Sequence, residues 1–353
     1  MDFRPSAEQA RLRERIRAFL DADPAPAGRP FAEDGWIAGF DPAFSRRLGE
    51  AGFIGLTWPR RYGGAERSYL ERLIVTEELL LAGAPVAAHW FGDRQIGPAL
   101  LAHGSEFQRQ ALLPRITRGD LTFCVGMSEP DAGSDLANLK TRAIERDGEF
   151  VIRGQKIWTS FGRDAEFCYL VARTDPEARP HRGISEILVP MDAPGITVRP
   201  IIDMVGEEHF CEVFFEDVRV EARWLIGERN RGWYQIMQQL DYERSGIERL
   251  ISNFPLWRAA LEVARQSGAS ADLRLRQRIA GIETGLRAGR WMVYKVAEVL
   301  SSGAIPNREA SAAKAFCTAL EQQIADVSSQ LLGPGQTLQA GVVPGRWGND
   351  NPM

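Results

Sequence analysis

The sequence predicts an α+β protein of several domains: a helical domain at residues 1–120, a middle antiparallel, barrel-like β-domain at 121–227, and a helical bundle at 228–353. Two observations support this prediction. Apolar residues recur at helical spacing at both ends of the chain, and short segments rich in β-branched and aromatic residues fill the middle. With 44% apolar and 25% charged residues, the 353 residues suit two or three packed globular units.

The first domain is predicted to be helices separated by Pro/Gly loops. An amphipathic, charged helix opens the chain, the loop DADPAPAGRP follows, and further helices are expected at 44–52, 69–82 and 107–117. From residue 121 the pattern changes to that of strands. We predict strands in LTFCVGM, EFVIRGQKIWTS, EFCYLVAR, SEILVPM, GITVRPI and EVFFEDVRV, with turn clusters such as RDGE and DAPG between them.

The helical period returns after residue 231. One helix carries Glu243, and two more are expected at about 273–300 and 309–332. In the last of these, one apolar stripe is formed by Phe316, Leu320, Ile324, Val327 and Leu331. The Gly/Pro-rich tail offers no regular element, and its GPG is not a dinucleotide fingerprint because no strand precedes it.

Composition excludes several classes of protein. The formal charge of −4, with arginines alternating with acids as in RLRERIR, argues against nucleic-acid binding and favours small molecules or protein chains as partners.

No apolar run could cross a membrane and no signal-peptide core precedes the first helix, so we expect a cytoplasmic protein. The cysteines lie far apart among apolar neighbours and should be buried, reduced thiols, and no metal site is expected: Cys124, Cys168, Cys211 and Cys317.

The helix that carries Glu243 has a carboxylate in an unusual position. Its apolar stripe consists of Trp233, Ile236, Met237, Leu240, Ile247, Leu250, Ile251 and Phe254. Glu243 falls on that stripe, three residues after Leu240 and four before Ile247, so it is predicted to face the buried side.

Two short motifs in the β-domain could hold a polar planar ligand. MSEPDAGSD, residues 127–135, leaves a strand as a Gly-rich loop whose N–H groups and serine hydroxyls suit an anionic or polar acceptor. KIWTS, residues 156–160, ends another strand with an indole and two hydroxyls that could meet a flat ring. On the residues alone, an ordinary polar turn and a core tryptophan remain open alternatives.

Together these stretches resemble the acyl-CoA dehydrogenase family. MSEPDAGSDLANLKTRA is similar to that family's flavin and thioester loop, and GQKIWTSFG to its second flavin contact. FEDVRVEARWLIGERNRGW is similar to the entry into its C-terminal helices, and HGSEFQRQALLPRI to its N-terminal signature. The resemblance implies FAD as cofactor, an acyl-CoA substrate, an electron-transfer flavoprotein as acceptor, and a tetramer.

The resemblance also assigns site residues. Residues 125–134 would hold the flavin ring and pyrophosphate, and 158–160 would pack against the isoalloxazine. The cofactor-binding residues it implies are Val125, Met127, Ser128, Gly133, Ser134, Trp158, Thr159 and Ser160. The substrate-binding residues it implies are Ser134, Asp241, Tyr242 and Arg244.

The resemblance gives Glu243 a role. In one branch of the family the catalytic base is a glutamate on the first C-terminal helix, immediately before an arginine, and Glu243–Arg244 matches that position. A water-poor surrounding would raise the pKa of this carboxylate and suit it to removing the proton α to a thioester. The alternative is a buried ion pair of Glu243 with Arg244 or Arg249, without chemistry. Asp241 lies off the stripe, within reach of an ion pair with Arg244.

The chain departs from the family pattern in three places. The family's Arg-x-x-Phe-Gly stretch, which reaches the neighbouring subunit's FAD, is replaced by ARQSGASADLRLRQRIAG. No segment resembling the family's C-terminal part of that pocket is found by residue 353, and Asp131 stands where many members have glycine. Asp131 is expected to be tolerated, whereas the missing reciprocal contacts predict a subunit of an α2β2 heterotetramer with a related chain, a homotetramer being the alternative. The rival functions are a non-catalytic structural subunit and a flavin-dependent oxidase or monooxygenase.

Overall fold

The computed structural model describes residues 5–23, 36–37, 39–204, 206–243 and 247–333, without the side chains of residues 240–243 and 270. Its first part is helical, and the three helices predicted after the opening one are confirmed to within two residues. The helices are α1 (Ala7–Ala22), α2 (Pro42–Glu50), α3 (Tyr69–Leu81), α4 (Ala87–Phe91), α5 (Gly97–His103) and α6 (Glu106–Thr117). Capping boxes begin three of them, at Ser6, Ser68 and Ser105.

Sequence reasoning misses the helical run at residues 87–103. A π-helical segment, Gly92–Ile96, joins α4 to α5. Gly92, Gly97 and Pro98 interrupt the helical pattern in the sequence, which is why the run was not predicted. Such π-helical turns widen a helix locally and often occur at functional sites.

The middle of the chain forms one eight-stranded sheet. Its strands are β1 (Phe123–Gly126), β2 (Arg142–Arg146), β3 (Glu149–Ser160), β4 (Phe167–Arg173), β5 (Ile184–Pro190), β6 (Ile196–Ile201), β7 (Phe210–Glu221) and β8 (Leu225–Ile226). The order is β6-β7-β3-β2-β4-β5-β8, with β1 beside β4. The pairings are antiparallel except β1 with β4 and β2 with β4. All six predicted strands are confirmed, while β2 and β8 were not predicted.

The last part is helical, as predicted. Its helices are α7 (Gly232–Glu243), α8 (Glu248–Ile251), α9 (Phe254–Ser267), α10 (Leu273–Ser301) and α11 (Asn307–Leu332). The expected single stripe of the Glu243 helix is therefore spread over α7, α8 and the start of α9, and Met237 is exposed. The predicted burial of Phe316 in α11 is wrong, because that ring is 37% exposed and Cys317 occupies the buried position beside it.

One large apolar core joins the N-terminal and C-terminal helices to one face of the sheet, where Tyr169, Leu188 and Ile226 belong to it. A second core lies on the other face and includes Cys124, Cys168 and Cys211. The prediction of buried, unpaired cysteines is confirmed, Cys317 included. In the described part of the chain, no helix has the length and apolar character to cross a bilayer, and no group of three His, Cys, Asp or Glu side chains could hold a metal. The domain boundaries after residues 120 and 227 stay predictions.

Candidate active site

The first predicted flavin loop leaves the sheet at the end of β1. Val125 lies opposite Tyr169 of β4, and the strand ends at Gly126. A Cβ on Gly126 would lie 2.9 Å from Cys168 Sγ, so only glycine lets the strand pass its neighbour at this point. Beyond it, Met127 and Ser128 are half-buried.

The loop then closes on itself. Glu129 and Ala132 exchange two backbone hydrogen bonds, of 2.9 and 3.1 Å, which tighten residues 129–132 into a turn. Gly133 and Ser134 follow on the surface, and no protein atom lies within 4 Å of a Cβ built on Gly133. The far end of the loop therefore leaves open space above its backbone, as a ligand that lies close to the main chain requires.

A buried ion pair joins this loop to the second motif. Lys156 Nζ donates to the Met127 carbonyl (2.9 Å) and to Glu129 Oε1 (2.8 Å). Glu129 also accepts from the backbone N–H groups of Lys140 (2.6 Å) and Thr141 (2.9 Å). Burial raises the pKa of Glu129, but the charge of Lys156 and these hydrogen bonds outweigh it and leave that pKa below its ordinary value.

This ion pair was not predicted from the sequence. Both partners lie inside the two quoted motifs, so a lysine and a glutamate in two loops expected to meet were a usable signal. Burial lowers the pKa of Lys156, an effect that the charge of Glu129 opposes. The pair joins the two loops and fixes their relative position.

The second motif sits at an irregular end of β3. The register of β3 with β7 slips between Lys156 and Thr159, and Trp158 has a φ of +58°. A bulky residue in the left-handed region is strained, and such strain concentrates at functional sites. The bulge turns the indole outward, where it is 57% exposed and meets Phe210 edge-on at 6.0 Å. The core-tryptophan alternative is therefore wrong.

The next two residues, Thr159 and Ser160, end strand β3. Thr159 is fully buried, and its Oγ1 has no hydrogen-bond partner within the described residues. Ser160 is half-buried opposite Phe210. The Ile157 N–H donates to the Ser128 carbonyl at 3.0 Å, so the two predicted flavin loops run side by side.

Helix α7 lies against the first loop. Ile236 is fully buried in one apolar cluster with Ala132, and Met127 packs on the same cluster. Position 243 is seven residues after Ile236 and hence on the same helical face, at the last residue of α7. The side chains of Asp241, Tyr242 and Glu243 lie outside the described part of the chain, as does Arg244, so their predicted orientations stay predictions.

An aromatic wall, defined here as Trp36, Phe40, Trp90, Phe91 and Phe161, continues from the second loop into the helical domain. Phe161 lies 4.9 Å from Phe40 and 6.1 Å from Phe91, measured between ring centroids. Trp36 and Trp90 lie 6.0 Å apart. The wall starts at Phe161, directly after the residues predicted to face the flavin, and its Phe161 and Trp90 rings are buried.

Family models match the chain over nearly its whole length. They are the acyl-CoA dehydrogenase N-terminal domain at residues 6–120, the middle domain at 124–218 and the C-terminal domain at 230–347. The chain belongs to the acyl-CoA dehydrogenase family. It is an oxidoreductase that acts on a CH–CH group, and its family uses FAD.

Individual relatives agree with this assignment. The acyl-CoA dehydrogenase IpdE1 of Mycobacterium tuberculosis is 36% identical over 304 residues, which cover 85% of this chain and 78% of the relative. The solved structure of the Tcur3481-Tcur3483 steroid acyl-CoA dehydrogenase superposes with a TM-score of 0.87 at 32% identity, covering 99% of this chain and 90% of that one. The ChsE4-ChsE5 complex of M. tuberculosis gives a TM-score of 0.82 at 31% identity, covering 98% and 89%.

The residues of this acyl-CoA dehydrogenase fit a flavin at the paired loops. Trp158 presents an exposed planar face, Thr159 Oγ1 is buried without a hydrogen-bond partner in the described part of the chain, and the backbone at Gly133 is open. A flat heterocycle with hydrogen-bonding edges suits all three features, because it could stack on the indole, bond the Thr159 hydroxyl and lie against the backbone at Gly133.

Proposed function

We propose that this acyl-CoA dehydrogenase removes the α-proton of an acyl-CoA thioester with Glu243 and so forms an α,β-enoyl thioester. Bound FAD would supply the acceptor, flavin N5, for the hydride that leaves the β-carbon. The protein's own task is then to align the thioester and to hold a base at its α-carbon. The observations that support the proposal best are the joining of the two proposed flavin loops by Lys156 and the packing of the first of them on Ile236 of α7.

The flavin-holding residues of the proposal divide between the two loops. On the first loop the backbone would hold the ring edge and the pyrophosphate, with the hydroxyls of Ser128 and Ser134 as further partners. On the second loop Trp158 would cover the ring, and Thr159 and Ser160 would bond its heteroatoms. The full proposed set is Val125, Met127, Ser128, Gly133, Ser134, Trp158, Thr159 and Ser160.

The base in this proposal is placed by α7. The face of α7 that carries position 243 buries Ile236, and a carboxylate kept from water on such a face has a raised pKa and greater basicity. We propose that Arg244 holds the base or the thioester carbonyl. Ser134, Asp241 and Tyr242 complete the proposed substrate contacts.

We further propose that the chain works as one subunit of an α2β2 heterotetramer. The stretch that replaces the family's reciprocal flavin contact forms the end of α9, the turn at Gly268 and the start of α10. Two of the similar structures are named by pairs of chains, Tcur3481-Tcur3483 and ChsE4-ChsE5. An electron-transfer flavoprotein is the proposed electron acceptor. Purifying the chain alone and together with a co-expressed related chain tests the proposed heterotetramer. A homotetramer of this chain with full flavin occupancy would remove the need for a partner.

Anaerobic mixing tests the reaction itself. The flavin-loaded enzyme is mixed with a series of acyl-CoA thioesters without O₂, and the visible flavin absorbance and the enoyl-CoA product are followed. Bleaching together with enoyl-CoA formation supports the proposal. Turnover that requires O₂ and a separate reductase would instead favour a monooxygenase on this fold.

A further inference from the structure

Helix α7 is attached to the sheet through one buried side chain. Gln235 is 6% exposed, and its Nε2 donates to Glu186 Oε2 of β5 (2.6 Å) and to the carbonyl of Ile226 in β8 (3.1 Å). Glu186 and Ile226 are fully buried. Separating the amide from these acceptors would leave buried polar groups without partners, so the two hydrogen bonds fix the distance between α7 and the sheet.

The backbone around Gln235 is shaped to admit this side chain. Gly227 follows β8 with a φ of +69°, and a Cβ built on it would lie 2.2 Å from Gln235 Oε1. A larger residue at position 227 would therefore displace the amide. At the first residue of α7, a Cβ on Gly232 would lie 2.9 Å from Ser185 Cα, so the helix begins directly on the backbone of β5.

A second glutamine attaches α7 to the N-terminal helices. Gln238 Oε1 lies 3.1 Å from His103 Nε2 at the end of α5. Gln238 is only half-buried, so water could replace His103 as its partner. Among the described side chains of α7, Gln235 thus makes the polar contacts that water cannot replace.

The helix transmits this attachment to the first proposed flavin loop and to position 243. Ile236, the next residue, packs with Ala132 of that loop. Position 243 lies eight residues after Gln235 in one continuous helix, about 12 Å along its axis. A rotation of α7 by about 10° would move a side-chain end that lies about 6 Å from the axis by about 1 Å. A displacement of about 1 Å at a reacting group can lower a rate about 10²-fold.

We propose that Gln235 is a positioning residue of the reaction: its bonds to Glu186 and to the Ile226 carbonyl fix the rotation of α7 and hence the position of the base at residue 243. This inference rests on the proposed function, because it takes Glu243 as the base. Gln235 acts only through α7, so its loss should slow proton removal and leave the binding of thioester and flavin almost unchanged.

Stopped-flow bleaching tests this role with the thioester that reduces the wild-type flavin fastest. Gln235→Leu keeps the approximate volume of the side chain and removes its amide, so the limiting rate of anaerobic bleaching should fall about 10–10²-fold. The thioester concentration for half-maximal rate and the FAD content should each change less than about threefold. A wild-type limiting rate, or a higher half-maximal concentration at an unchanged limiting rate, would overturn the inference. Should Gln235→Leu fold poorly in a melting experiment, Gln235→Met serves the same purpose.

Further variants separate positioning from stability. Glu186→Gln keeps an acceptor for Gln235 and should keep the limiting rate within about twofold, whereas Glu186→Leu should lower it as Gln235→Leu does. Gln108→Leu is the matched control, because Gln108 is also fully buried and donates to two carbonyls, those of Arg223 (2.7 Å) and Leu225 (2.8 Å), but belongs to α6. It should lose stability and keep the limiting rate. An equal loss of rate in Gln108→Leu would assign the effect to general destabilisation and contradict the inference.

Hydrogen exchange tests the attachment of α7 without turnover. Amide exchange of peptides covering Gly232–Glu243 is measured by mass spectrometry on the flavin-loaded complex without thioester. These amides should exchange at least about tenfold faster in Gln235→Leu and at the wild-type rate in Gln108→Leu. If the wild type bleaches and the exchange of α7 is unchanged in Gln235→Leu, only this inference fails. If the wild type bleaches with no thioester, the proposed function fails and the inference fails with it.

Discussion

Several side chains around the two proposed flavin loops are held in states that are unfavourable in isolation. Trp158 has a left-handed backbone conformation and an exposed ring, Lys156 is buried with its charge, and the buried Thr159 hydroxyl has no hydrogen-bond partner among the described residues. Each state costs about 1–3 kcal/mol by itself, and the surrounding contacts must hold it. Because all three lie within four consecutive residues, the strain is concentrated where the cofactor is proposed to bind.

The first residue-scale prediction concerns Glu243. Replacing Glu243 by Gln removes the base but keeps the shape of the side chain, so the rate of anaerobic flavin bleaching should fall about 10²–10⁴-fold. The visible spectrum should show that FAD is still bound. Glu262→Gln, an exposed glutamate on α9, is the control and should bleach as wild type does. Undiminished turnover of the Glu243→Gln enzyme would refute the assignment of the base.

A second residue-scale prediction concerns pH. Glu186 on β5 is fully buried, and burial raises its pKa to about 7, although the hydrogen bond from Gln235 opposes this. The folded-state pKa lies above the ordinary value of 4.5, so the contribution of Glu186 to stability is fully present below pH 4.5 and is lost as the pH rises to about 7. The loss amounts to at most about 3 kcal/mol.

Glu186→Gln tests this sign. The variant keeps a partner for Gln235 and cannot ionise, so its free energy of unfolding relative to wild type should increase between about pH 5 and about pH 8. Denaturant unfolding at both pH values measures the difference. Parallel pH profiles for the two proteins would show that Glu186 does not titrate in this window.

Much at the residue scale could be predicted, and the omissions have physical reasons. The two motifs indicated the loops because serine, glycine and tryptophan have recognisable roles there. The Lys156–Glu129 pair lies inside the two motifs, which gave a signal for it, but the contact itself depends on which side chains meet across the fold. Phe316 was assigned to the buried stripe because helical periodicity does not say which of two adjacent apolar residues, Phe316 or Cys317, faces the neighbouring helix.

At the scale of elements, the proposed site lies where regular secondary structure is interrupted. The sheet provides two loops, one after the short strand β1 and one at the bulged end of β3. The helices provide the end of α7 and the π-helical segment that it packs against. Strands and helices with strong periodicity were predicted to within two residues, whereas β2, β8 and the run at 87–103 were missed because they are short or contain Gly and Pro.

The element-scale prediction is that the two loops act as one unit. Lys156→Met preserves the apolar stem and removes the ammonium group, which leaves Glu129 charged and buried without its partner. Breaking such a pair should lower the free energy of unfolding by about 3–5 kcal/mol and should release FAD. Lys140→Met is the matched control, because the Lys140 ammonium pairs with Asp131 on the surface. Denaturant unfolding and the flavin-to-protein absorbance ratio are the measurements, and retention of both properties in Lys156→Met would contradict the prediction.

At the scale of the molecule, ion pairs join the first and last helical parts. Glu77 on α3 is 1% exposed and accepts from Arg290 Nε of α10 (2.6 Å), Arg13 Nη2 of α1 (2.8 Å) and the Tyr294 hydroxyl (3.1 Å). The apolar core is also continuous between these helices. Helix α7, which carries the proposed base, and the aromatic wall come from different halves of the chain, so their relative position depends on how firmly the halves are joined.

Glu77→Gln tests this junction. Burial raises the pKa of Glu77, but the hydrogen bond and charge of Arg290 and those of Arg13 outweigh it, so the pKa lies below its ordinary value of 4.5. The stability that Glu77 contributes is therefore present above pH 4.5 and is lost as the pH falls through the lowered pKa. At neutral pH the variant should unfold with a free energy lower by about 2 kcal/mol, less than for a fully buried pair because both arginines are partly hydrated. Urea unfolding from neutral to acid pH measures this, and the two curves should converge at the acid end. A constant difference at every pH would assign the loss to packing instead of charge.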